Sequence, residues 1–206
     1  MNKGFYVSLL FVSTLAFGQK LSKEEVKFIN QGNPEALLPI FQTTNKHEHH
    51  ILLQNSKEIN PKSKHTKLLV QRMELSLKST SGGVGIAAPQ VGVNRKVILV
   101  KRFDKEGTPT EYFLNPKILW KSEIQNLGPE GDLSIPEYRE QFYRSKVIQL
   151  QYQDLKGKTH VEIVEGFTAV IFQHEIDHLY GILIHDKKEK EQHLQYQKVD
   201  AFLKNK

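Results

Sequence analysis

Gln173-His174-Glu175-Ile176-Asp177-His178-Leu179-Tyr180-Gly181 is the stretch whose reading decides the fold of this chain. It follows an apolar run, residues 167–172, and the two together read as one helix that Gly181 caps. Positions i and i+4 share a helix face, so His174 and His178 can turn both imidazoles toward one ion. Glu175 stands beside the first of them, where a general base for a metal-bound water is needed. A bare H-E-x-x-H also fits a plain helix carrying two hydrogen-bonded histidines and a surface glutamate. The stretches around it therefore carry much of the weight.

Upstream, residues 83–90 read Gly-Val-Gly-Ile-Ala-Ala-Pro-Gln. Small residues alternate with branched ones, which lets backbone approach backbone or ligand closely. The pattern lacks the Gly-Lys-Ser/Thr and G-x-G-x-x-G of nucleotide loops. It reads either as a glycine-bearing strand in a tight sheet or as a strand edge that pairs with an extended peptide, with the Gln90 amide donated into a site. Residues 128–136 form a turn-rich segment with one carboxylate, Asp132, between Gly131 and Leu133.

The remaining chain supports one domain. Its 206 residues suffice for a sizeable core. The formal net charge is +6, but the basic residues are scattered, and no nucleic-acid surface is indicated. The absence of cysteine removes disulfides, thiolate zinc sites and a cysteine nucleophile. At the N-terminus, Lys3 is a short positive region and residues 5–17 an apolar stretch, shorter than the roughly 20 residues that span a bilayer. Ala16 and Gly18 place small residues before a cleavage ahead of Gln19. Residues 1–18 read as a signal peptide, and the mature protein as exported, periplasmic or secreted, without stable membrane insertion.

Residues 19–50 read as a small helical extension: Ser22 and Glu25 form a capping box, and Asn33-Pro34 opens a second helix. The histidines at 47, 49 and 50 read as part of a solvated polar linker. Leu69, Met73 and Leu77 mark a core-facing helix over 65–78 that stops near Ser81-Gly82-Gly83. Residues 96–101 and 112–119 are β-rich, with Asn115-Pro116 kinking the second run, and 147–164 reads as a hairpin. A charged segment over 187–204 is expected to form a surface helix. Residues 51–206 then make up the main domain.

Residues 83–90, 130–134 and 173–181 together resemble the peptide deformylases, whose motifs run in this order. The resemblance covers about residues 51–190 and implies an α+β fold, with mostly antiparallel sheets wrapped around the central motif helix. It implies one divalent metal, Fe2+ or Zn2+, held by Asp132, His174 and His178. Glu175 would take a proton from water and deliver it to the leaving amine. Gln90 and the backbone N–H of Leu133 would stabilise the oxyanion. Val84, Gly85 and Gly131 match backbone positions that align a peptide, and Arg139, Phe167 and Val170 match positions near the pocket for its first side chain. The implied substrate is a formylated peptide or another small N-acyl peptide, acted on by a monomer.

Position 132 departs from the family pattern, which has a metal-binding cysteine there. Aspartate replaces one anionic ligand by another and gives a two-histidine, one-carboxylate set. Zn–S is ~2.3 Å and Zn–O about 2.0–2.2 Å, so the carboxylate sits slightly differently, and its second oxygen competes for the water position. Two other readings stand beside the hydrolase: a non-catalytic exported relative that binds peptides along residues 83–90, and a zincin-type peptidase, for which no downstream ligand is evident. An exported protein would meet free formyl peptides, exported N-formyl proteins or other N-acyl substrates rather than chains at the ribosome.

Overall fold

The computed structural model describes residues 20–191. The signal-peptide reading of 1–18 and the part of the charged tail beyond 191 lie outside them. A five-stranded antiparallel sheet runs in the order β1 (Gly85–Ala87), β2 (Val97–Lys101), β3 (Thr110–Lys121), β6 (Val147–Gln153), β7 (Thr159–Glu165). A separate antiparallel hairpin pairs β4 (Gln125–Asp132) with β5 (Ile135–Ser145). Helices α1 (Lys23–Asn30), α2 (Lys46–Leu52) and α3 (Lys64–Lys78) precede the sheet, and α4 (Gly166–Leu179) and α5 (Ile184–Glu191) follow it. The α+β architecture expected from the motifs is the one observed.

Side-chain alternation explains the layers. On one face of β1 and β2, Ile86, Val97 and Leu99 pack with Leu69, Met73 and Leu77 of α3. On the other face, Ile98, Val100 and Phe113 pack with Ala169, Phe172 and Ile176 of α4. Strand β2 is thus covered on both sides, and its apolar run Val97-Ile98-Leu99-Val100 is uninterrupted for that reason. Phe172 is fully buried, with the Phe113 ring edge-on at 4.6 Å, and burying a ring of that size contributes about 2–3 kcal/mol.

Helix α4 is buried almost all round, between the sheet and the β4–β5 hairpin. Its polar residues are buried because each has a fixed partner or faces the site. Gln173, for example, bonds both the N–H and the carbonyl of Ser145. Its C-terminus closes as a Schellman motif: Ile182 N–H reaches the Asp177 carbonyl and Gly181 N–H that of His178, both at 3.1 Å, with Gly181 at φ +66°.

Four local expectations are corrected. Asn33-Pro34 forms a turn rather than a helix, because Arg72 takes the carbonyls of Ile29, Gln31 and Ala36 and Pro39 follows closely. The segment with His47, His49 and His50 is helical, since the Asn45 side chain caps the N–H groups of His47 and Glu48. Residues 128–136 are not turn throughout: 128–132 complete β4 and 135–136 open β5 around a tight tip, and a two-stranded ribbon has free edges that tolerate Pro129. Asn115, at φ +50°, makes a bulge in β3 rather than a kink. The 147–164 hairpin, the 65–78 helix and the Ser22–Glu25 capping box form as expected.

The described part of this extension, residues 20–50, is also integral rather than appended. Ile29 and Leu38 lie in the core with α3. Arg95 holds Glu25 with two bonds of 2.7 Å and so docks α1. Just before α2, Phe41 N–H bonds the Gln90 carbonyl at 2.7 Å and Thr43 N–H the Ser134 carbonyl at 2.9 Å.

Candidate metal centre and its cleft

Three chain segments meet at a cleft of about 710 Å³: the strand edge around β1, the tip of the β4–β5 hairpin and one face of α4. Val84, Gly85, Gln90, Gly131, Asp132, Leu133, Arg139, Phe167, Val170, His174 and Glu175 all line it. Every site residue expected from the sequence is therefore brought to one place, with His178 buried just behind.

The helix period delivers two of the candidate ligands and the hairpin tip the third. Ligand atoms of Asp132, His174 and His178 lie within 4.8 Å of one another. The Asp132 side chain is fully buried, and its Oδ2 is 3.4 Å from His178 Nε2. That contact lacks hydrogen-bond geometry: among the described residues, Asp132 Oδ2 and both ring nitrogens of His178 have no hydrogen-bond partner. Orphaned buried polar atoms of this kind are costly unless something else satisfies them. A divalent cation would do so, and the donor set suits zinc or non-haem iron.

A buried charge relay orients the site. His174 Nδ1 bonds Glu130 Oε2 at 2.9 Å, which leaves Nε2 for a metal. Arg144 grips Glu130 with bonds of 2.6 and 2.7 Å and also bonds Asp177, whose other partner is Lys187 at 2.8 Å. Burial works against the Glu130 charge, but Arg144 and His174 outweigh it and hold its carboxyl down at about 2. Burial likewise opposes charge on His174, yet the Glu130 bond and the carboxylates of Glu175 and Asp132 raise it to about 9. His178 is pushed down to about 4 by burial. The Glu175 carboxyl is pushed up to about 8 by burial, helped by the negative charges of Asp132 and Glu130. A carboxyl poised near neutrality beside the candidate ligands is suited to moving protons.

Sequence reasoning missed several supports. Glu130 and Asp177 sit inside the quoted motifs, but their partner Arg144 carries no local signal. Gly85 makes room for the base: a Cβ there would lie 2.3 Å from Glu175 Oε1. Gln42 donates to the Leu133 carbonyl at 2.9 Å and so fixes the peptide plane that carries the Ser134 N–H. The Gln90 amide nitrogen, expected to face a substrate oxygen, donates here to Asp132 Oδ1 at 3.1 Å and to Ser134 Oγ at 3.3 Å.

Comparison with known proteins agrees with this geometry. The family model described as polypeptide deformylase matches residues 41–193, which includes the Phe41–Thr43 clamp. A peptide deformylase of Afipia carboxidovorans is 45% identical over 105 residues, covering 50% of this chain and 61% of the relative. One from Desulforudis audaxviator is 41% identical over 121 residues, covering 57% and 77%. A Met-Ala-Ser-bound class I type b peptide deformylase from Acinetobacter baumannii superposes with a TM-score of 0.66 at 33% identity, over 74% of this chain and 98% of the other. The matched part thus spans about three-fifths to three-quarters of those two curated relatives. With its motifs, its cleft and these matches in agreement, the chain belongs to the peptide deformylase family.

Proposed function

We propose that this protein hydrolyses the formamide bond of N-formyl peptides, using one divalent ion, Fe2+ or Zn2+, held by Asp132, His174 and His178. The observation that carries this reading is the convergence of the orphaned atoms of Asp132 and His178 on His174, with a protonatable Glu175 in the same cleft. When bound, such an ion supplies Lewis acidity that polarises a carbonyl oxygen and acidifies water.

The chain's own groups do the rest. Glu175 accepts a proton from the attacking water and passes it to the amine as the C–N bond breaks, releasing formate. The Leu133 N–H, at the cleft wall, is the donor for the developing oxyanion. Lys101 N–H bonds the Val84 carbonyl, so the alternation of an antiparallel ladder turns the Gly85 N–H and C=O away from β2 and into the cleft. A substrate backbone can pair with that edge, opposite Gly131, as an added strand. Phe167 and Val170 offer an apolar wall to its first side chain, with Arg139 at the rim. We also propose export, on the leader-like residues 1–18; N-terminal sequencing of the secreted protein is expected to begin at Gln19.

The test is formate release from formyl-Met-Ala-Ser by residues 19–206, prepared anaerobically and loaded separately with Fe2+, Zn2+, Ni2+ and Co2+. Turnover is expected in the native chain and not in Glu175→Ala, which should keep its metal. Undiminished turnover in Glu175→Ala would remove the base from the mechanism. A silent native chain alongside an active Asp132→Cys variant would favour the peptide-binding reading.

A further inference from the structure

The two oxygens of Asp132 are treated differently by the fold. Oδ1 accepts from Gln90 Nε2 at 3.1 Å and from the Ser134 N–H at 2.8 Å. Oδ2, also buried, accepts from none of the described residues and faces His178. Gln90 is itself fixed. It is 1% exposed, and its Oε1 takes the Ala87 N–H at 2.8 Å, so its NH2 end must point at Asp132. Its backbone is held as well, through the Phe41 N–H on its carbonyl.

A carboxylate beside an ion can ligate through one oxygen or through both. Two donors on Oδ1 lock the rotation of the group and lower the electron density of that oxygen. Ligation through Oδ2 alone leaves a coordination position for water, which a hydrolytic site needs. We infer that Gln90, together with the Ser134 N–H, is a positioning residue that restricts Asp132 to single-oxygen ligation. The role is specific to a carboxylate at 132: a cysteine sulfur is a single donor atom with no second oxygen to restrain. The inference rests on the metal-site reading above.

A double-mutant cycle tests it, with metal affinity rather than turnover as the readout. Zn2+ affinity is measured by chelator competition in the native chain, Gln90→Met, Asp132→Cys and the double variant, and the visible spectrum is recorded with Co2+. Loss of a partner that orients a ligand typically costs about 10–100-fold in affinity. Gln90→Met should therefore weaken Zn2+ binding at least ~10-fold with Asp132 present and less than about threefold with Cys at 132. The Co2+ bands should weaken in Gln90→Met as a second oxygen joins the ion. Equal losses in both backgrounds, or no loss in either, would overturn the positioning role while leaving the metal site standing. No Zn2+ binding by the native chain would instead overturn the metal site itself.

Discussion

Replacing Gly85 by alanine should disable the base while leaving the fold intact. Gly85 does not have a positive φ, so an alanine backbone fits there without strain. The added methyl would lie 2.3 Å from Glu175 Oε1, 2.8 Å from its Cδ and 2.9 Å from its Cγ. No backbone atom is among these nearest neighbours, so the side chain has to give way. Ordinary contact requires the carboxylate to retreat by about 1 Å. Glu175 is buried, so the retreat pushes into packed neighbours, at a cost of about 1–3 kcal/mol in stability. A displacement of that size typically costs about 100-fold in rate, or about 2.7 kcal/mol of transition-state stabilisation. The assay is formate release from formyl-Met-Ala-Ser, run beside metal analysis and thermal melting. Metal content should stay at the native level, since none of the three ligands is touched. Gly128→Ala is the control: it lies outside the cleft, and a Cβ there would meet nothing within 4 Å. Native turnover in Gly85→Ala would refute the assignment of Gly85 as the space for the base.

Arg144→Met should be among the most destabilising changes in the chain. It leaves the buried Glu130 carboxylate with His174 alone and Asp177 with Lys187 alone, and breaking a buried pair from one side typically costs about 3–5 kcal/mol; a urea midpoint close to the native value would count against the relay. Gly181→Ala should lower the melting temperature, because the position needs φ +66° and a Cβ there would meet the Leu53 carbonyl oxygen at 2.2 Å; an unchanged melting curve would speak against that packing. Asp104 is held below the ordinary carboxylate range, chiefly by its bonds from Arg102 at 2.6 and 2.8 Å. A depressed folded pKa means that its contribution is present above the unfolded value of about 3.9 and lost as pH falls through the folded one. The native chain should therefore exceed Asp104→Asn by roughly 1–2 kcal/mol at pH 6, discounted for partial exposure, with the gap narrowing below about pH 4. A gap that stays constant from pH 6 to pH 3 would contradict this.

Much of the candidate site was legible because it is local. His174, Glu175 and His178 share a helix face by periodicity, and the Gly181 cap follows from composition alone. The strand reading of residues 83–90 holds only for Gly85–Ala87; Ala88–Val91 coils into a 3-10 turn, with Pro89 near its start. Where the reading failed, a local cue was overridden from outside the segment. The helix start at Asn33-Pro34 was lost to Arg72, which comes from α3 and takes the segment's carbonyls. The turn-rich look of 128–136 hid a hairpin because Gly128 and Pro129 are poor strand residues only where both edges are paired. The histidines at 47, 49 and 50 looked like a linker because a seven-residue helix depends on its Asn45 cap and on packing more than on its own propensity.

The sequence by itself determined the family, the fold class, the helix that carries two candidate ligands and the candidate base, and the position of the third candidate ligand. Only the tertiary structure decided how those groups are held. It put Glu130 and Arg144 on His174, emptied the space at Gly85 for Glu175, and set Gln90 and the Ser134 N–H on one oxygen of Asp132. The physical reason is range. A pattern of three or four residues follows from the geometry of one helix or one turn. Contacts such as Gln90 with Asp132, or Gln42 with Leu133, join residues far apart in the chain, and they exist only once α4, the sheet edge and the hairpin have packed together.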